Sequence, residues 1–137
     1  MKIKITGVDN VVEYLEGVCN IDKLEKGIKD SCLLVERSAK QKAPKGNGDL
    51  RRSIESKVDG LSGVVFTPLE YAPYIEFGTG LYAEDGKGRK DVPWVYCDDK
   101  GEFHTTRGIH PHPFMRPALE ENRDKIREIL RGAILNK

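Results

Sequence analysis

The sequence predicts an α+β fold, in which an antiparallel β-sheet carries a long helix from the N-terminal half and an amphipathic helix from the C-terminal end packed on it. Three patterns predict this fold. A helical repeat of apolar residues lies in the first third of the chain, segments of strand composition flank turns in the middle, and a second helical repeat closes the sequence. With 137 residues, 38% hydrophobic and 33% charged, we expect a single domain over 1–137.

The N-terminal segment predicts a short strand and a brief helix. Lys2–Thr6 alternates polar and apolar residues, which is typical of a half-buried strand. Asp9 or Asn10 can then cap a short helix, which Gly17 weakens.

A longer helix is predicted to begin after Asn20, a residue suited to the N-cap position. It is expected to end near Ala43, because Pro44 disfavours helical geometry in the residue before it. Its apolar positions recur every three or four residues and so form one buried stripe: Leu24, Ile28, Cys32, Val35 and Ala39.

The middle of the chain predicts strands around a turn. Leu50–Val58 and Gly63–Thr67 have strand composition and flank the turn sequence at 59–62, so a β-hairpin is expected. The aromatic segment 71–80 predicts a packed turn or a short helix.

A glycine-rich, charged stretch follows, and it predicts an exposed, mobile loop over 80–92. A second hairpin is expected beyond it. Residues 94–96 and 103–105 have strand composition, and the intervening sequence from Asp98 to Gly101 favours a turn.

The C-terminal segment predicts one amphipathic helix from Pro117 onwards. Proline suits the first helical turn, where its missing N–H would have no partner, and Glu120 and Glu121 complement the helix dipole. The apolar stripe consists of Ala118, Leu119, Asn122, Ile126, Ile129, Leu130 and Ala133.

Composition excludes several broad classes of protein. The formal net charge of +1 argues against a general nucleic-acid binder, which is usually basic throughout. The sequence has no signal-peptide pattern and no apolar run long enough for a bilayer, so we expect a protein that stays in the cytoplasm and has no membrane partner. Cys19, Cys32 and Cys97 form no CxxC pair, which favours reduced thiols, with Cys32 in the core.

Zinc binding is the first chemical alternative, since Cys97 and the histidines 104, 110 and 112 could in principle supply four ligands. The spacing of these residues does not support it. Zinc sites normally contain close ligand pairs such as CxxC or HxxxH, whereas His110 and His112 would point to opposite sides of an extended chain. We therefore expect no metal and no other cofactor.

Catalytic patterns are also missing from the sequence. No serine lies in a G-x-S-x-G elbow, and no glycine-rich segment continues into the Lys-Ser/Thr of a phosphate-binding loop. The carboxylate pairs 98–99 and 120–121 are adjacent in sequence, so their members point in different directions and are expected to be solvated. No catalytic residue is predicted.

Two motif blocks carry a family resemblance. Residues 71–79 run Tyr-Ala-Pro-Tyr-Ile-Glu-Phe-Gly-Thr, and residues 113–119 run Pro-Phe-Met-Arg-Pro-Ala-Leu. In this order, after an early helix ending in Ala39–Pro44, they resemble a phage tail-component family named after gene product ten of a lambdoid coliphage. The resemblance runs over nearly the whole chain, with Leu81–Ile109 as its variable segment.

The resemblance implies a non-enzymatic structural protein of a tailed phage or prophage, part of the neck where head and tail join. Because a neck surrounds the DNA exit path, we expect a homo-oligomeric ring that contacts the head-closure protein and the tail-terminator or tail-tube protein. The alternatives are a monomer that orders only on a neighbouring ring and, from another class, a small nucleic-acid-processing enzyme. The expected location is the host cytoplasm during assembly and then the virion.

The motif residues are the candidate contact residues of such a ring. Aromatic residues serve equally well in a core or at a subunit interface, and the sequence does not distinguish the two. Two charges inside the apolar blocks are expected to pair with each other, within one subunit or between neighbours, unless both are simply exposed. The candidates are Tyr71, Tyr74, Glu76, Phe77, Gly78, Thr79, Phe114, Arg116 and Pro117, and the expected pair is Glu76 with Arg116.

A locally basic segment raises the question of DNA. If subunits form a ring, these side chains could line the lumen and hold the phosphates of double-stranded DNA without base preference. An ordinary solvated surface is the alternative. The candidate DNA-facing residues are Lys40, Lys42, Lys45, Arg51 and Arg52.

Overall fold

The computed structural model describes residues 1–5, 20–46 and 48–135. The brief helix expected after Asp9 lies outside these residues, as does Cys19. The elements are β1 (Lys2–Ile5), α1 (Ile21–Lys42), α2 (Asp49–Ser53), β2 (Glu55–Asp59), β3 (Ser62–Phe66), α3 (Ala72–Phe77), a 3-10 turn (Gly80–Tyr82), β4 (Trp94–Cys97), β5 (Phe103–Thr106), α4 (Met115–Glu121) and α5 (Arg123–Leu135).

Two compact units divide the chain. The terminal unit comprises Met1–Pro68 and Phe114–Lys137, and the central unit comprises Leu69–Pro113. Helices and antiparallel strands together confirm the α+β class. None of the helices that the structure describes is long and apolar enough to cross a membrane. The single domain expected from the chain length stays a prediction.

Helix α1 is the centre of the terminal unit. The side chain of Asn20 accepts a hydrogen bond from the backbone N–H of Asp22 at 2.9 Å, which confirms the predicted N-cap. The helix ends with Ala43 at the C-cap, as Pro44 predicted. All five residues of the predicted stripe are fully buried, so the period of 3.6 residues identified the core face of the helix correctly: Leu24, Ile28, Cys32, Val35 and Ala39.

The sheet of the terminal unit has the order β1-β3-β2, with both pairs antiparallel. Val65 in the central strand pairs with Ile3 on one side and Ser56 on the other. Helix α1 packs against β2 and β3. At Gly63 the approach is so close that a Cβ atom would lie 2.2 Å from Sγ of Cys32, which explains a glycine inside a strand.

The strand predicted over Leu50–Val58 is correct only in its second half. Residues 49–53 form α2, which follows Gly48 in the left-handed conformation, and β2 begins at Glu55. Leu50 and Ile54 are both buried, a spacing that fits a helical turn better than alternation along a strand. The predicted turn at 59–62 is confirmed, because Asp59 pairs with Ser62.

The C-terminal helix, predicted as continuous, is two helices. Asn122 separates α4 from α5, and its side-chain amide donates to the carbonyl of Ala118 at 2.7 Å. A side chain that binds the backbone in this way competes with helical geometry, which accounts for the break. Both helices pack on α1, and a Cβ on Gly27 would lie 3.4 Å from the Cβ of Ala133.

Candidate functional site

The first motif block forms α3 in the central unit, as one of the two alternatives for 71–80 predicted. Ala72 and Glu76 are spaced by one helical turn and are fully buried, so they define the inward face. The three aromatic side chains lie on the other faces: Tyr74 is 58% exposed, and Tyr71 and Phe77 are each 41% exposed. The structure therefore places the aromatic part of the block at the surface.

Backbone hydrogen bonds tie this block to the end of the central unit. The N–H of Thr79 donates to the carbonyl of Ile109, and the N–H of Ile109 donates to Oγ1 of Thr79, both at 2.9 Å. Leu81 N donates to Arg107 O at 3.1 Å, and His112 N donates to Ile75 O at 2.7 Å. These bonds hold residues 75–81 alongside 107–112.

Glycines make this close backbone contact sterically feasible. A Cβ on Gly108 would lie 2.1 Å from the carbonyl oxygen of Thr79, and one on Gly80 would lie 2.3 Å from that of Arg107. Both glycines have positive φ, 127° and 60° respectively, so any side chain would also be strained. Gly78, at φ 80°, ends α3 where a Cβ would meet the carbonyl oxygen of Tyr82 at 2.7 Å.

The central unit contains almost no apolar core. All of Leu69–Pro113 is described, and Ala72 is its only buried hydrophobic side chain. Backbone hydrogen bonds and glycine contacts thus replace side-chain packing. Many large apolar side chains of this unit are exposed, and clusters of this kind mark interaction surfaces. They are Tyr71, Tyr74, Phe77, Leu81, Val95, Tyr96, Phe103 and Ile109.

A groove of about 760 Å³ opens on the central unit. Tyr74, Phe77 and Trp94 supply its aromatic wall, and the guanidinium of Arg89 lies 5.0 Å from the centroid of the Trp94 ring. Glycines 78, 80 and 88 contribute backbone to the lining instead of side chains. We call this feature the aromatic groove.

The predicted second hairpin is present as β4 and β5, with Trp94 opposite Thr106 and Cys97 opposite Phe103. Its turn is organised by Asp98, whose Oδ1 accepts from the N–H groups of Lys100 and Glu102, each at 2.9 Å. His104 Nε2 donates to Oδ2 at 2.7 Å. The His104 bond and then the Glu102 N–H bond lower the pKa of Asp98, because they stabilise its carboxylate form.

This turn also brings together three groups that could ligate a metal. The ligand atoms of Asp98, Glu102 and His104 lie within 4.8 Å of one another. The sequence interpretation missed the cluster, since it combined His104 with Cys97 and the later histidines. The predicted hairpin could have revealed the cluster. Its register pairs His104 with Tyr96, which brings the histidine close to the turn that carries Asp98. The hydrogen bonds of Asp98 account for the cluster as turn structure.

The second motif block begins α4 in the terminal unit. Phe114 precedes the helix and is fully buried, as are Met115 and Ala118. Arg116 and Pro117 are partly buried. Phe114 is therefore a core residue and not a surface contact of the folded chain.

The expected pairing of Glu76 with Arg116 stays a prediction. Glu76 is fully buried in α3 of the central unit, and Arg116 belongs to α4 of the terminal unit.

Most of the candidate DNA-facing residues have acidic partners. Lys40 Nζ lies 2.8 Å from Glu36 and Lys42 Nζ lies 2.6 Å from Glu121. Arg52 pairs with Asp49. The other two candidates are Lys45 and Arg51. Lys45 is exposed, and Arg51 is partly buried, with a buried Nε that has no hydrogen-bond partner.

Residues 18–78 match the model of a family described as "Bacteriophage HK97-gp10, putative tail-component". The chain is similar to this family of phage tail components. The match supports a structural role in a phage tail and confirms the resemblance expected from the motifs. It includes the first block as far as Gly78, whereas the second block lies beyond it. No significant match was found among curated proteins or among solved structures.

Proposed function

We propose that this HK97-gp10-like chain is a structural protein of the head-tail junction of a tailed phage or prophage, where identical copies form a ring in the neck. Its neighbours in the particle are a head-closure protein and a tail-terminator or tail-tube protein. The observation that carries the proposal is the exposed aromatic block in a chain similar to a tail component.

The physical reason lies in the central unit. Exposed Tyr71, Tyr74 and Phe77 each offer a large apolar area, and exposing that area to water is unfavourable unless a partner covers it. Aromatic residues are enriched at the buried centres of protein interfaces. Tyr74 and Phe77 line one groove together with Trp94, which fits a protein whose function is assembly.

Two measurements test this placement. Sedimentation of the purified chain should give the mass of a closed oligomer, and electron microscopy of the source particle should locate the chain between portal and tail tube. A chain that stays monomeric in solution but orders on a neighbouring ring would favour the assembly-factor alternative. Density for this chain at the distal tail, or in no part of the particle, would contradict the neck assignment.

DNA contact by the basic segment is not favoured. The charges of Lys40, Lys42 and Arg52 are balanced by nearby carboxylates, so a ring lumen would gain little positive potential from them. Changing the five candidate residues to glutamine should leave ring formation and DNA retention unchanged. A loss of DNA retention with intact rings would instead support a phosphate-binding collar.

An enzymatic role is the remaining alternative. The described part of the chain has one cluster suited to metal, Asp98, Glu102 and His104, and it lies on the exposed hairpin turn rather than in the aromatic groove. A metal-dependent nuclease needs its metal beside a substrate-binding surface. Divalent-metal-dependent cleavage of DNA by the purified chain, abolished by His104→Ala, would support the enzyme.

A further inference from the structure

Two segments of the central unit pair as a short antiparallel ladder. The N–H of Thr79 donates to the carbonyl of Ile109, and the N–H of Ile109 donates to the hydroxyl of Thr79. The next bond, from Leu81 N to Arg107 O, lies two residues forward in one segment and two residues back in the other. This is the spacing at which an antiparallel ladder repeats.

We call the paired segments 75–82 and 107–112 the latch, and the residues 83–106 between them the arm. The arm contains the β4–β5 hairpin, and the chain enters and leaves it through the latch. Its side chains Val95 and Phe103 are 62% and 77% exposed, so they do not anchor the arm to the rest of the chain.

The latch is stabilised mainly by polar contacts. The side chains of Leu81 and Ile109 are exposed, and the ring of His110 stacks on that of Tyr82 with 3.7 Å between their centroids. Backbone hydrogen bonds contribute little net stability, because water competes for the same groups. Helix α1, by contrast, buries a full apolar stripe. The latch should therefore open at a lower free energy than the terminal unit.

We propose that the latch opens as one cooperative unit while the terminal unit stays folded, so that the arm changes its position relative to α3 in the native protein. Loss of the pair between Thr79 and Ile109 removes the alignment that the bond of Leu81 needs, which makes the opening cooperative. Sparse apolar contacts and exposed backbone bonds are the usual features of a segment that opens locally. A partner that contacts the arm would then select one of its positions. The inference concerns the free chain and does not rest on the proposed ring.

Amide hydrogen exchange of the full-length protein tests the opening. Thr79→Val removes the hydroxyl and keeps the shape of the side chain. The amides of Leu81, Ile109 and His112, which all donate within the latch, should exchange faster by a common factor of roughly two to ten, as expected for one lost hydrogen bond. The amides of α1 should keep their wild-type rates.

Two further variants are the controls. Thr79→Ser retains the hydroxyl and should exchange at close to wild-type rates. Thr105→Val makes the same chemical change at an exposed threonine of β5, outside the latch, and should leave the exchange of the latch amides unchanged.

Limited proteolysis supplies a second measurement. The carbonyl of Arg107 accepts the Leu81 bond, so trypsin can cut after this arginine only when the latch is open. Thr79→Val should raise the initial rate of this cut by the same factor as the amide exchange, because both report the population of the open form. Cuts after Lys87 and Arg89, which lie in the arm, should keep their initial wild-type rates.

Three outcomes would overturn the proposal. Latch amides that exchange only together with those of α1, with the same dependence on denaturant, would show that the latch does not open separately. A Thr79→Val effect confined to the amide of Ile109 would show a single frayed bond instead of a cooperative unit. If Thr79→Ser exchanges as fast as Thr79→Val, the hydroxyl bond does not hold the latch.

Discussion

Gly63 shows how one residue sets the distance between the sheet and helix α1. A Cβ at this position would lie 2.2 Å from Sγ of Cys32 and 3.1 Å from Cγ2 of Ile28. Both neighbours are fully buried, so neither can move into solvent. Cys32 itself is held in the neutral thiol form, because burial, followed by the nearby carboxylate of Glu36, raises its pKa.

Gly63→Ala should destabilise the protein by about 1–3 kcal/mol, the usual cost of overpacking a core. Urea denaturation measures it. Gly132→Ala is a matched control on the surface of α5, where nothing lies within 4 Å of the added methyl group, and it should stabilise the protein by up to about 1 kcal/mol. Combining Gly63→Ala with Cys32→Ala should cost less than the sum of the two single changes, whereas additive costs would show that Cys32 is not the obstacle.

Glu36 links α1 to β2. Burial of this carboxylate raises its pKa, but hydrogen bonds from Lys40 at 2.8 Å and from Ser56 at 2.6 Å outweigh that effect, so the pKa is lowered overall. A carboxylate with a lowered pKa stabilises the fold above its ordinary pKa of about 4.3. That stabilisation is lost as the pH falls through the lowered value.

Glu36→Gln should therefore reduce stability by about 1 kcal/mol near neutral pH, and the difference from wild type should shrink as the pH falls below about 4. Thermal unfolding across a pH series measures both effects. Glu128→Gln on the exposed surface of α5 is the control and should show little change at any pH. A difference that grows in acid would contradict the proposed hydrogen bonds.

Among the elements, the β4–β5 hairpin depends most on its turn. Two isolated strands are only marginally stable, so the three hydrogen bonds to Asp98 are important for its register. These bonds use both carboxylate oxygens. A metal bound by Nε2 of His104 would have to displace the hydrogen bond between that nitrogen and Asp98, at a cost that binding must recover.

We therefore expect no stoichiometric zinc in the purified protein. Elemental analysis after exchange into metal-free buffer measures it, and Cys97→Ser and His104→Ala variants identify the ligands if zinc is found. One zinc ion per chain that disappears with His104→Ala would establish the hairpin turn as a metal site.

The loop at 80–92 is expected to be mobile in the free subunit, except where backbone bonds hold it. Leu81 N donates to Arg107 O, and Glu84 N donates to Phe77 O at 2.9 Å. Amide exchange in the free monomer should be slower at these two positions than over residues 87–92, and it should slow over the whole loop in the assembled protein. Strong protection of 87–92 in the monomer would contradict the expectation.

At the scale of the whole molecule, the two units differ in how they are stabilised. The terminal unit buries α1, the inner face of its sheet and α4 around a continuous apolar core. The central unit buries a single apolar side chain, that of Ala72, and relies on backbone hydrogen bonds, which contribute little net stability in competition with water.

The central unit should accordingly be unable to fold alone. A peptide of Leu69–Pro113 should show no near-ultraviolet circular dichroism signal from its aromatic residues and no cooperative thermal transition, because its buried apolar area cannot offset the entropy of ordering the chain. The full-length protein, measured in parallel, should show both. A cooperative transition in the isolated peptide would establish an independent domain and contradict the single domain expected from the sequence.

Local patterns in the sequence were sufficient to predict α1 with its cap and stripe, the two hairpins, and the exposed character of 80–92. These features depend on helical periodicity, on strand alternation and on turn residues, all of which act between neighbours in sequence. The same patterns misplaced α2 and missed the break at Asn122, because the burial of Leu50 and Ile54 and the hydrogen bond from Asn122 to Ala118 override the local preference.

Solvent exposure and pairing between distant residues were decided by the tertiary structure. The motifs identified the aromatic residues as candidate contacts but did not show whether they lie in the core or at the surface. In the structure Tyr74 and Phe77 are exposed and Phe114 is buried. It also pairs Lys42 with Glu121 across the terminal unit, which weakens the case for DNA contact. Apolar composition is equally suited to a core and to an interface, so only the packing of the remaining chain determines which side chains are left for a partner to cover.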